Sequence, residues 1–176
     1  LRMVMTIGLD EPSAAARIAQ LTQKTNQFNL TTRRHTEAEI AGWMRDPEWL
    51  VAHFALTDVC GDNGIVGAAI VRGASGPRPE FDTFLLSCRV IGRSAESAFL
   101  LSLLGLLRER GAERVRGAYV PTPKNTLVAS FWTDHGFAEV GPGLFERTLD
   151  AVAPFAGPIS VIIPSKMRTP AGRPPA

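Results

Sequence analysis

Four residues between two apolar runs, Gly61-Asp62-Asn63-Gly64, constrain the fold of this 176-residue chain most strongly. Glycine and asparagine tolerate positive φ, so the sequence predicts a tight hairpin between strands over 49–58 and 65–72. The elements expected next are a strand over 81–90, a helix over 94–110 and a strand over 114–120. Antiparallel neighbours that lead into a βαβ crossover predict an α/β (α+β) domain, with a mixed, mostly antiparallel sheet and helices on both faces.

Capping signals at the element ends support the flanking elements. Asp10-Glu11-Pro12 is a typical helix start, and the helix that it begins is expected to run to about Thr25. Thr36 and Glu39 form a capping box ahead of a short helix that ends before Pro47. The other expected elements are a strand over 3–8, a short helix over 125–135 and one or two strands over 137–149.

The sequence divides into a domain over 1–150 and a proline-rich tail over 151–176, which contains six prolines. Proline at this density disfavours helix and central strand, so we expect the tail to be partly disordered, above all in its last ten residues. Residues 159–163 are the part of the tail that can lie as an extended segment on the body. The start at Leu1, inside a strand-like run, suggests a fragment.

Composition excludes several classes of protein. Apolar residues make up 45% and charged residues 20% of the chain, which favours a packed core over disorder. The net charge is only +2 and the arginines are scattered, so we expect no nucleic-acid partner. Apolar stretches are too short for a membrane span, and the first residues lack the pattern of a signal peptide, so we expect neither. The two cysteines fit a reducing cytoplasm, and neither has a neighbour at zinc-ligand spacing, so we expect no metal.

The junction Arg89-Val90-Ile91-Gly92-Arg93-Ser94, between a strand and the long helix, is the first candidate site. A helix start attracts anions through its free N–H groups and its dipole. Gly92 would let the backbone approach a ligand, the arginines add charge, and Ser94 could cap the helix or bond a phosphate. The alternative is an ordinary turn whose arginines are solvated.

This R-x-x-G-x-S turn and the order of elements resemble the GNAT-type acyltransferase fold, in which such a turn grips the pyrophosphate and pantetheine arm of coenzyme A. A later pattern of that fold is similar to Asn125, Ala129, Phe131 and Gly136-Phe137. The resemblance implies cofactor contacts at Arg89, Gly92, Arg93, Ser94 and Asn125. Trp132 stands where the fold often has a tyrosine general acid, so the standard amine acetyltransferase mechanism lacks its acid here.

Four segments, 17–40, 58–70, 81–93 and 119–137, resemble the C-terminal part of FkbH-like proteins. That family joins a HAD-type phosphatase domain to a GNAT-like region and places a glyceryl group on the phosphopantetheine of an acyl carrier protein, for polyketide-type biosynthesis. The resemblance implies this activity and these two partners, the carrier protein and a phosphatase domain. The phosphatase motif D-x-D-x-(T/V) does not occur in the chain, so only the acyl-transfer half is expected.

Cys88 is the candidate nucleophile, because it precedes Arg89 and falls within a segment that the family resemblance covers. A thiolate near positive charge could carry the acyl group as a thioester. The alternative is a small buried cysteine in a core strand. Cys60, beside the hairpin turn, is interpreted as incidental. His135 is the best candidate for a general base, although the dipole at a helix end also favours a histidine there.

Polar residues in two connections, and one in the strand over 81–90, are candidates for binding the acyl group or the pantetheine arm. They are Asn26, Gln27, Asn29, Asp82, Thr122 and Lys124. Asparagines in connections also serve turn chemistry, and Lys124 could instead meet an acidic helix of the carrier protein. Two other functions stay open: a non-catalytic module that docks the carrier protein, and a free-standing N-acyltransferase that uses acyl-coenzyme A.

Overall fold

The sheet of this protein has eight strands, in the order β6-β7-β5-β4-β3-β2-β1-β8. The structure is a computed structural model that describes residues 2–167. The strands are β1 (Met3–Leu9), β2 (Trp49–Asp58), β3 (Gly61–Arg72), β4 (Glu80–Leu86), β5 (Arg114–Ala118), β6 (Ala138–Gly141), β7 (Leu144–Thr148) and β8 (Ile159–Ile162). The α-helices within the described residues are α1 (Ala15–Lys24), α2 (Glu37–Met44), α3 (Ala95–Glu109), α4 (Phe131–Asp134) and α5 (Pro164–Met167).

The sheet is mixed and mostly antiparallel, as the predicted hairpin and crossover imply. The turn of the hairpin lies at Val59-Cys60, however, and the expected turn residues 61–64 belong to β3, where Gly61 pairs with Asp58. The positive φ of Gly61 and Gly64 is therefore used within the strand and not in the turn. β1, β2, β3 and β4 pair antiparallel in turn, and so do β5, β7 and β6. The parallel pairs are β4 with β5, across the helix α3, and β1 with β8. A parallel pair needs a long crossover, which α3 supplies for β4 and β5.

Side chains of β2 alternate between two cores, one on each face of the sheet. Leu50 and Phe54 belong to the core that contains α3, where the rings of Phe54 and Phe99 lie 4.7 Å apart. Val51 belongs to the second core, together with residues of α1 and α2. Because successive side chains of a strand point to opposite faces, this alternation confirms that helices cover both faces.

Local capping signals proved right for α2 and wrong for α1. Thr36 Oγ1 accepts from the N–H of Glu39, and the Glu39 carboxylate accepts from the N–H of Thr36, so the capping box is confirmed. Asp10 does not cap a helix, because its carboxylate accepts from the N–H of Val51 on the neighbouring strand. A 3-10 turn over Pro12–Ala14 follows, and α1 begins at Ala15.

The third expected strand ends earlier than the sequence predicts. β4 stops at Leu86, and Ser87 Oγ then accepts from the N–H of Arg89, which starts a 3-10 turn over Cys88–Val90. Cys88 is therefore exposed on a turn and does not lie in a core strand. The expected helix over 125–135 is likewise divided, into a 3-10 turn over Thr126–Val128 and the short α4.

Part of the proline-rich tail adds a strand to the sheet. β8 pairs in parallel with β1, from Met3 opposite Ile159 to Thr6 opposite Ile162. The expected extended segment on the body is thus confirmed, and it completes the edge of the sheet beside β1. Residues 168–176, on which most of the expected disorder falls, lie outside the described residues.

Replacement of Gly67 and of Gly105 by alanine should have opposite effects on stability. A Cβ on Gly67, in β3, would collide with the ring of Phe54, whereas Gly105, in α3, has no atom within 4 Å of that position. We expect Gly67→Ala to lower the free energy of unfolding by about 1–3 kcal/mol, because the packed ring must move. Gly105→Ala should raise it by about 0.5–1 kcal/mol, because alanine favours the helix. Urea unfolding measures both, and equal stability of Gly67→Ala and the native protein would contradict the packing described here.

Candidate functional site

The central feature of the site is a gap between β4 and β5. These strands pair at Glu80 with Arg116 and at Phe81 with Gly117, and β4 then continues to Leu86. Residues Phe28–Leu30 lie in this gap, between β4 and the residues that follow β5. We term them the inserted segment. This segment belongs to the connection between α1 and α2.

Backbone hydrogen bonds hold the inserted segment on both sides. The N–H of Leu30 donates to the carbonyl of Phe84 (3.1 Å), and the N–H of Leu86 donates to the carbonyl of Phe28 (3.0 Å). On the other side, the N–H of Val120 donates to the carbonyl of Leu30 (2.9 Å). The segment therefore bridges β4 and the end of β5 as an additional short strand.

Asn29 and Asn125, both expected to bind ligands, are buried and bonded to the protein itself. Asn125 Nδ2 donates to the carbonyls of Asn29 (3.0 Å) and Val120 (3.0 Å), and its Oδ1 accepts from the N–H of Thr122 (2.7 Å). Asn29 Nδ2 donates to the carbonyl of Thr25, and its Oδ1 accepts from the N–H of Thr32. Both donors of the Asn125 amide are thus engaged with the backbone around the gap.

Asp82, another expected substrate contact, anchors the rest of the same connection. Arg33 donates to Oδ1 of Asp82 and His35 Nε2–H donates to Oδ2, both at 2.9 Å, while Thr31 Oγ1 donates to the Asp82 carbonyl at 2.9 Å. The sequence did not single out Arg33 or His35. The side chain of Asp82 is only 10% exposed, so these partners satisfy a buried carboxylate.

These contacts lower the pKa of Asp82. Burial by itself would raise the pKa of the carboxyl group, but hydrogen bonds from His35 and Thr83 and the charge of Arg33 outweigh it and hold the pKa at about 2. The carboxylate is therefore ionised over the whole physiological range.

Cys88 and Arg89 lie in a cleft of about 490 Å³ between α1 and the end of β4, which we term the thiol cleft. Its lining includes an exposed thiol, three cations and two side-chain amides. The lining residues are Arg17, Leu21, Lys24, Thr25, Asn26, Gln27, Phe28, Leu86, Ser87, Cys88 and Arg89. The structure thus brings together Cys88, Arg89, Asn26 and Gln27, which are far apart in the sequence.

Arg17 and Lys24 also line the thiol cleft, although the sequence did not predict them as candidate site residues. Both lie on α1 together with Leu21, and the three face the thiol cleft. Their spacing of four and then three residues puts them on one side of a helix, which is the signal that could have revealed them.

The turn before α3 matches the expectation only in part. Gly92 has φ of +84° and no atom near the position of a Cβ, so the backbone is open to a ligand there. Ser94 has φ of +63° and its side chain makes no cap bond, which corrects the expected capping role. Its left-handed conformation directs the chain into α3 without that bond. Arg93 pairs with Asp58, at 3.3 Å, near the end of β2.

His135 does not share the thiol cleft with Cys88. Its Nδ1–H donates to the carbonyl of Phe131 (2.7 Å), so Nε2 accepts from the hydroxyl of Ser97 (2.8 Å). His135 lines another cleft, of about 520 Å³, on the side of α4 and β7. Its contacts tie α4 to α3, and the structure gives it no contact with the thiol.

Trp132 is buried where the resemblance would place a tyrosine acid. Its Nε1–H donates to the carbonyl of Ala118 (3.0 Å), and its indole covers Gly117 so closely that a Cβ there would collide with it. The side chain therefore supports β5 and takes no part in a ligand site.

Thr122 and Lys124 lie beside a smaller cleft of about 280 Å³, which Asn26 also lines. Thr122 Oγ1 accepts from the N–H of Lys124, which orders this turn. Since Asn26 lines both clefts, the expected substrate residues of the two connections are neighbours at this end of the sheet.

Residues 2–167 contain neither a metal-ligand group nor a membrane-spanning helix. Within that range, His, Cys, Asp and Glu side chains form no group of three or more that could hold a metal ion. No helix of the described part is both long enough and apolar enough to cross a membrane.

Comparison with known proteins gives a match at the level of structure. No protein-family model and no curated protein matches the chain. The ribosomal-protein-S18-alanine N-acetyltransferase from Escherichia coli superposes with a TM-score of 0.61 at 15% identity, over 87% of this chain and 96% of that one. A mutant of the spermidine N-acetyltransferase SpeG from Vibrio cholerae superposes with a TM-score of 0.60 at 12% identity, over 82% of this chain and 94% of that one. A Mycobacterium tuberculosis protein in complex with CoA superposes with a TM-score of 0.55 at 20% identity, over 74% of this chain and 70% of that one.

These similarities confirm the expected fold class. The chain has the fold of GNAT acetyltransferases, with a mostly antiparallel mixed sheet and helices on both faces. Identities of 20% or less support a shared fold, whereas function depends on the residues of the site.

The low pKa of Asp82 predicts how stability depends on pH. A carboxyl group whose pKa is lower in the folded state stabilises that state above its unfolded pKa, and the contribution is lost as pH falls toward the folded value of about 2. Asp82→Asn should therefore cost about 1–2 kcal/mol at pH 7, and the difference from the native protein should shrink between pH 4 and 2. Urea unfolding at several pH values measures this, with Glu113→Gln, at an exposed position, as control. A difference that is constant with pH would contradict the anchoring role.

Proposed function

We propose that this chain transfers a glyceryl group to the phosphopantetheine thiol of an acyl carrier protein, as the GNAT-like half of an FkbH-like protein in polyketide-type biosynthesis. The observation that carries the proposal is the thiol cleft, where exposed Cys88 lies among Arg17, Lys24 and Arg89. An exposed thiol with cations around it is the setting that thiol catalysis requires. The resemblance of the segments around Cys88 to the FkbH-like family supports the choice of acyl group.

The proposed chemistry is an exchange of the acyl group through Cys88. The Cys88 thiolate attacks the carbonyl carbon of an activated glyceryl donor, and the donor's leaving group departs with the electrons of the broken bond. A thioester then joins the glyceryl group to Sγ of Cys88. Attack on the same carbon by the carrier's pantetheine thiolate releases Cys88 as a thiolate, ready for the next donor. Because one thioester replaces another, the second step changes the free energy little.

The other residues of the cleft suit the two ends of such a substrate. The side-chain amides of Asn26 and Gln27 can hydrogen-bond the hydroxyl groups of a glyceryl group. Arg89 and the open backbone at Gly92 can receive the phosphate of the pantetheine arm, which is anionic. Lys124, beside the neighbouring cleft, can meet an acidic surface of the carrier protein.

The proposal also includes a phosphatase partner and a cellular location. A HAD-type domain, in the same parent protein or in a separate chain, would remove phosphate from the donor, since the required motif is lacking in this sequence. Both cysteines are free and exposed, which suits the reducing cytoplasm.

The nucleophile can be tested by intact-mass spectrometry. Glyceryl-loaded carrier protein is mixed with the chain, so that thioester exchange runs toward the enzyme. We expect a hydroxylamine-labile glyceryl adduct on the native protein and none on Cys88→Ala, because the thioester needs that sulfur. Cys60→Ser is the matched control, since it removes the other exposed thiol, and it should keep the adduct.

Two outcomes would count against the proposal. Accumulation of the adduct on Cys88→Ala would reject Cys88 as the nucleophile. Unchanged transfer by the two-domain protein with Cys88→Ser, with carrier binding retained, would favour the module that only docks the carrier protein beside the phosphatase domain.

A second candidate function is N-acyl transfer from acyl-coenzyme A. It is favoured by the solved structures of the same fold, which include N-acetyltransferases and a protein in complex with CoA. Direct attack by an amine needs no enzyme thiol, so this function predicts that Cys88→Ala keeps full activity. Steady-state transfer from acetyl-coenzyme A to a panel of amines tests it. Saturable turnover that is equal in the native protein and Cys88→Ala would establish this second function over the first.

A further inference from the structure

The inserted segment occupies the passage that a pantetheine arm would use to cross the sheet. We propose that Phe28–Leu30 is an autoinhibitory occupant of the gap between β4 and β5, and that a pantetheine arm enters the gap only after this segment has left. This inference rests on the proposed function, because it takes a pantetheine arm as the ligand.

The layout of the two faces makes the gap a route for the arm. The helix α3, whose first residues follow the open turn at Gly92, packs on one face of the sheet. The thiol cleft is lined by α1, which packs on the opposite face. An arm whose phosphate lies beside Gly92, at the start of α3, can reach the opposite face through the place where β4 and β5 diverge.

The inserted segment uses the backbone groups that line this passage. Leu86 N–H, Phe84 C=O and Val120 N–H are all bonded to Phe28 or Leu30. A pantetheine arm is an extended chain with amide groups, which pair with an exposed strand edge as a peptide does. Only one of the two chains can take these groups at a time, so segment and arm compete.

The contacts of the segment are of the kind that a short element can release. A single antiparallel bridge, Asn29 with Leu85, links it to β4. Thr32, which follows it, has φ of +54°, an unfavourable conformation for a β-branched residue. The bond from Thr32 N–H to Asn29 Oδ1 holds this conformation, so departure of the segment would relieve the strain. Short elements with few backbone bonds open locally without global unfolding.

Anchors on both sides would limit the movement to the segment itself. Asp82 holds Thr31, Arg33 and His35, while α1 ends at Lys24. The buried ring of Phe28 packs edge-on against Phe131, at 5.6 Å between centroids, and keeps the closed form favoured without a ligand. The affinity for the arm is then reduced by the fraction of molecules that are closed.

A reversible disulfide lock tests the competition. Asn29 and Leu85 form a non-hydrogen-bonded antiparallel pair, whose side chains lie close enough for a disulfide. Asn29→Cys with Leu85→Cys, in a Cys60→Ser and Cys88→Ser background, leaves two thiols to pair. Binding of phosphopantetheine and of coenzyme A is measured by calorimetry in both redox states. We expect the oxidised protein to bind at least about tenfold more weakly than the reduced protein. Equal binding in the two states would overturn the inference, because the arm would then not need the gap.

Hydrogen exchange on the native protein covers the case in which the lock variant is damaged. At saturating coenzyme A, the amide of Leu30 should lose protection, because its partner, the carbonyl of Phe84, is then taken by the arm. Retained protection of the Leu30 amide in the bound protein would overturn the inference. Absence of binding by the native protein and also by Leu30→Ala, in which the segment packs less tightly, would overturn it as well.

These readouts separate the inference from the proposed function. All of them measure binding, and the lock variants lack Cys88. If the lock controls binding but the native protein forms no acyl adduct, the proposed acyl transfer fails and the inference stands. If the adduct forms and the lock has no effect on binding, the inference fails and the proposed acyl transfer stands.

Discussion

The carboxylate and backbone carbonyl of Asp82 hold the connection between α1 and α2 against the sheet, and the rest of the site depends on this contact. Three residues of the connection donate to Asp82, so the chain between α1 and these anchors must cross the end of β4. The crossing places Phe28 against the aromatic core and Asn26 and Gln27 at the thiol cleft. Removal of a partner from a buried charge is costly, which makes this arrangement a specific one.

The sequence predicted the parts of the fold that depend on neighbours in the chain. The capping box of Thr36 and Glu39 and the apolar face of α3 are local signals, and the structure contains both of them. The hairpin between β2 and β3 is also present, but its turn lies at Val59-Cys60 and not at the predicted Gly61–Gly64. The start of α1 was predicted wrongly because Asp10 bonds to Val51, a residue 41 positions away. Distant partners of this kind leave no trace in a local pattern.

The candidate site was predicted in part for the same reason. Cys88, Arg89, Asn26 and Gln27 do lie in one cleft, and family resemblance pointed to their segments. Asn29, Asp82 and Asn125 are equally polar, but their hydrogen bonds go to the protein's own backbone and charged side chains. A polar residue that faces a ligand and one that faces a buried carbonyl look alike in a sequence. Only the fold distinguishes them, and it also adds Arg17 and Lys24 to the cleft.

The packing of Trp132 on Gly117 restricts how this chain could have evolved. A tyrosine at position 132 would leave part of the indole's volume empty and would remove the donor to the carbonyl of Ala118. A larger residue at position 117 would in turn exclude the tryptophan. Positions 117 and 132 therefore have to change together, and a lineage that acquired this pair could regain an acid at position 132 only through a poorly packed intermediate.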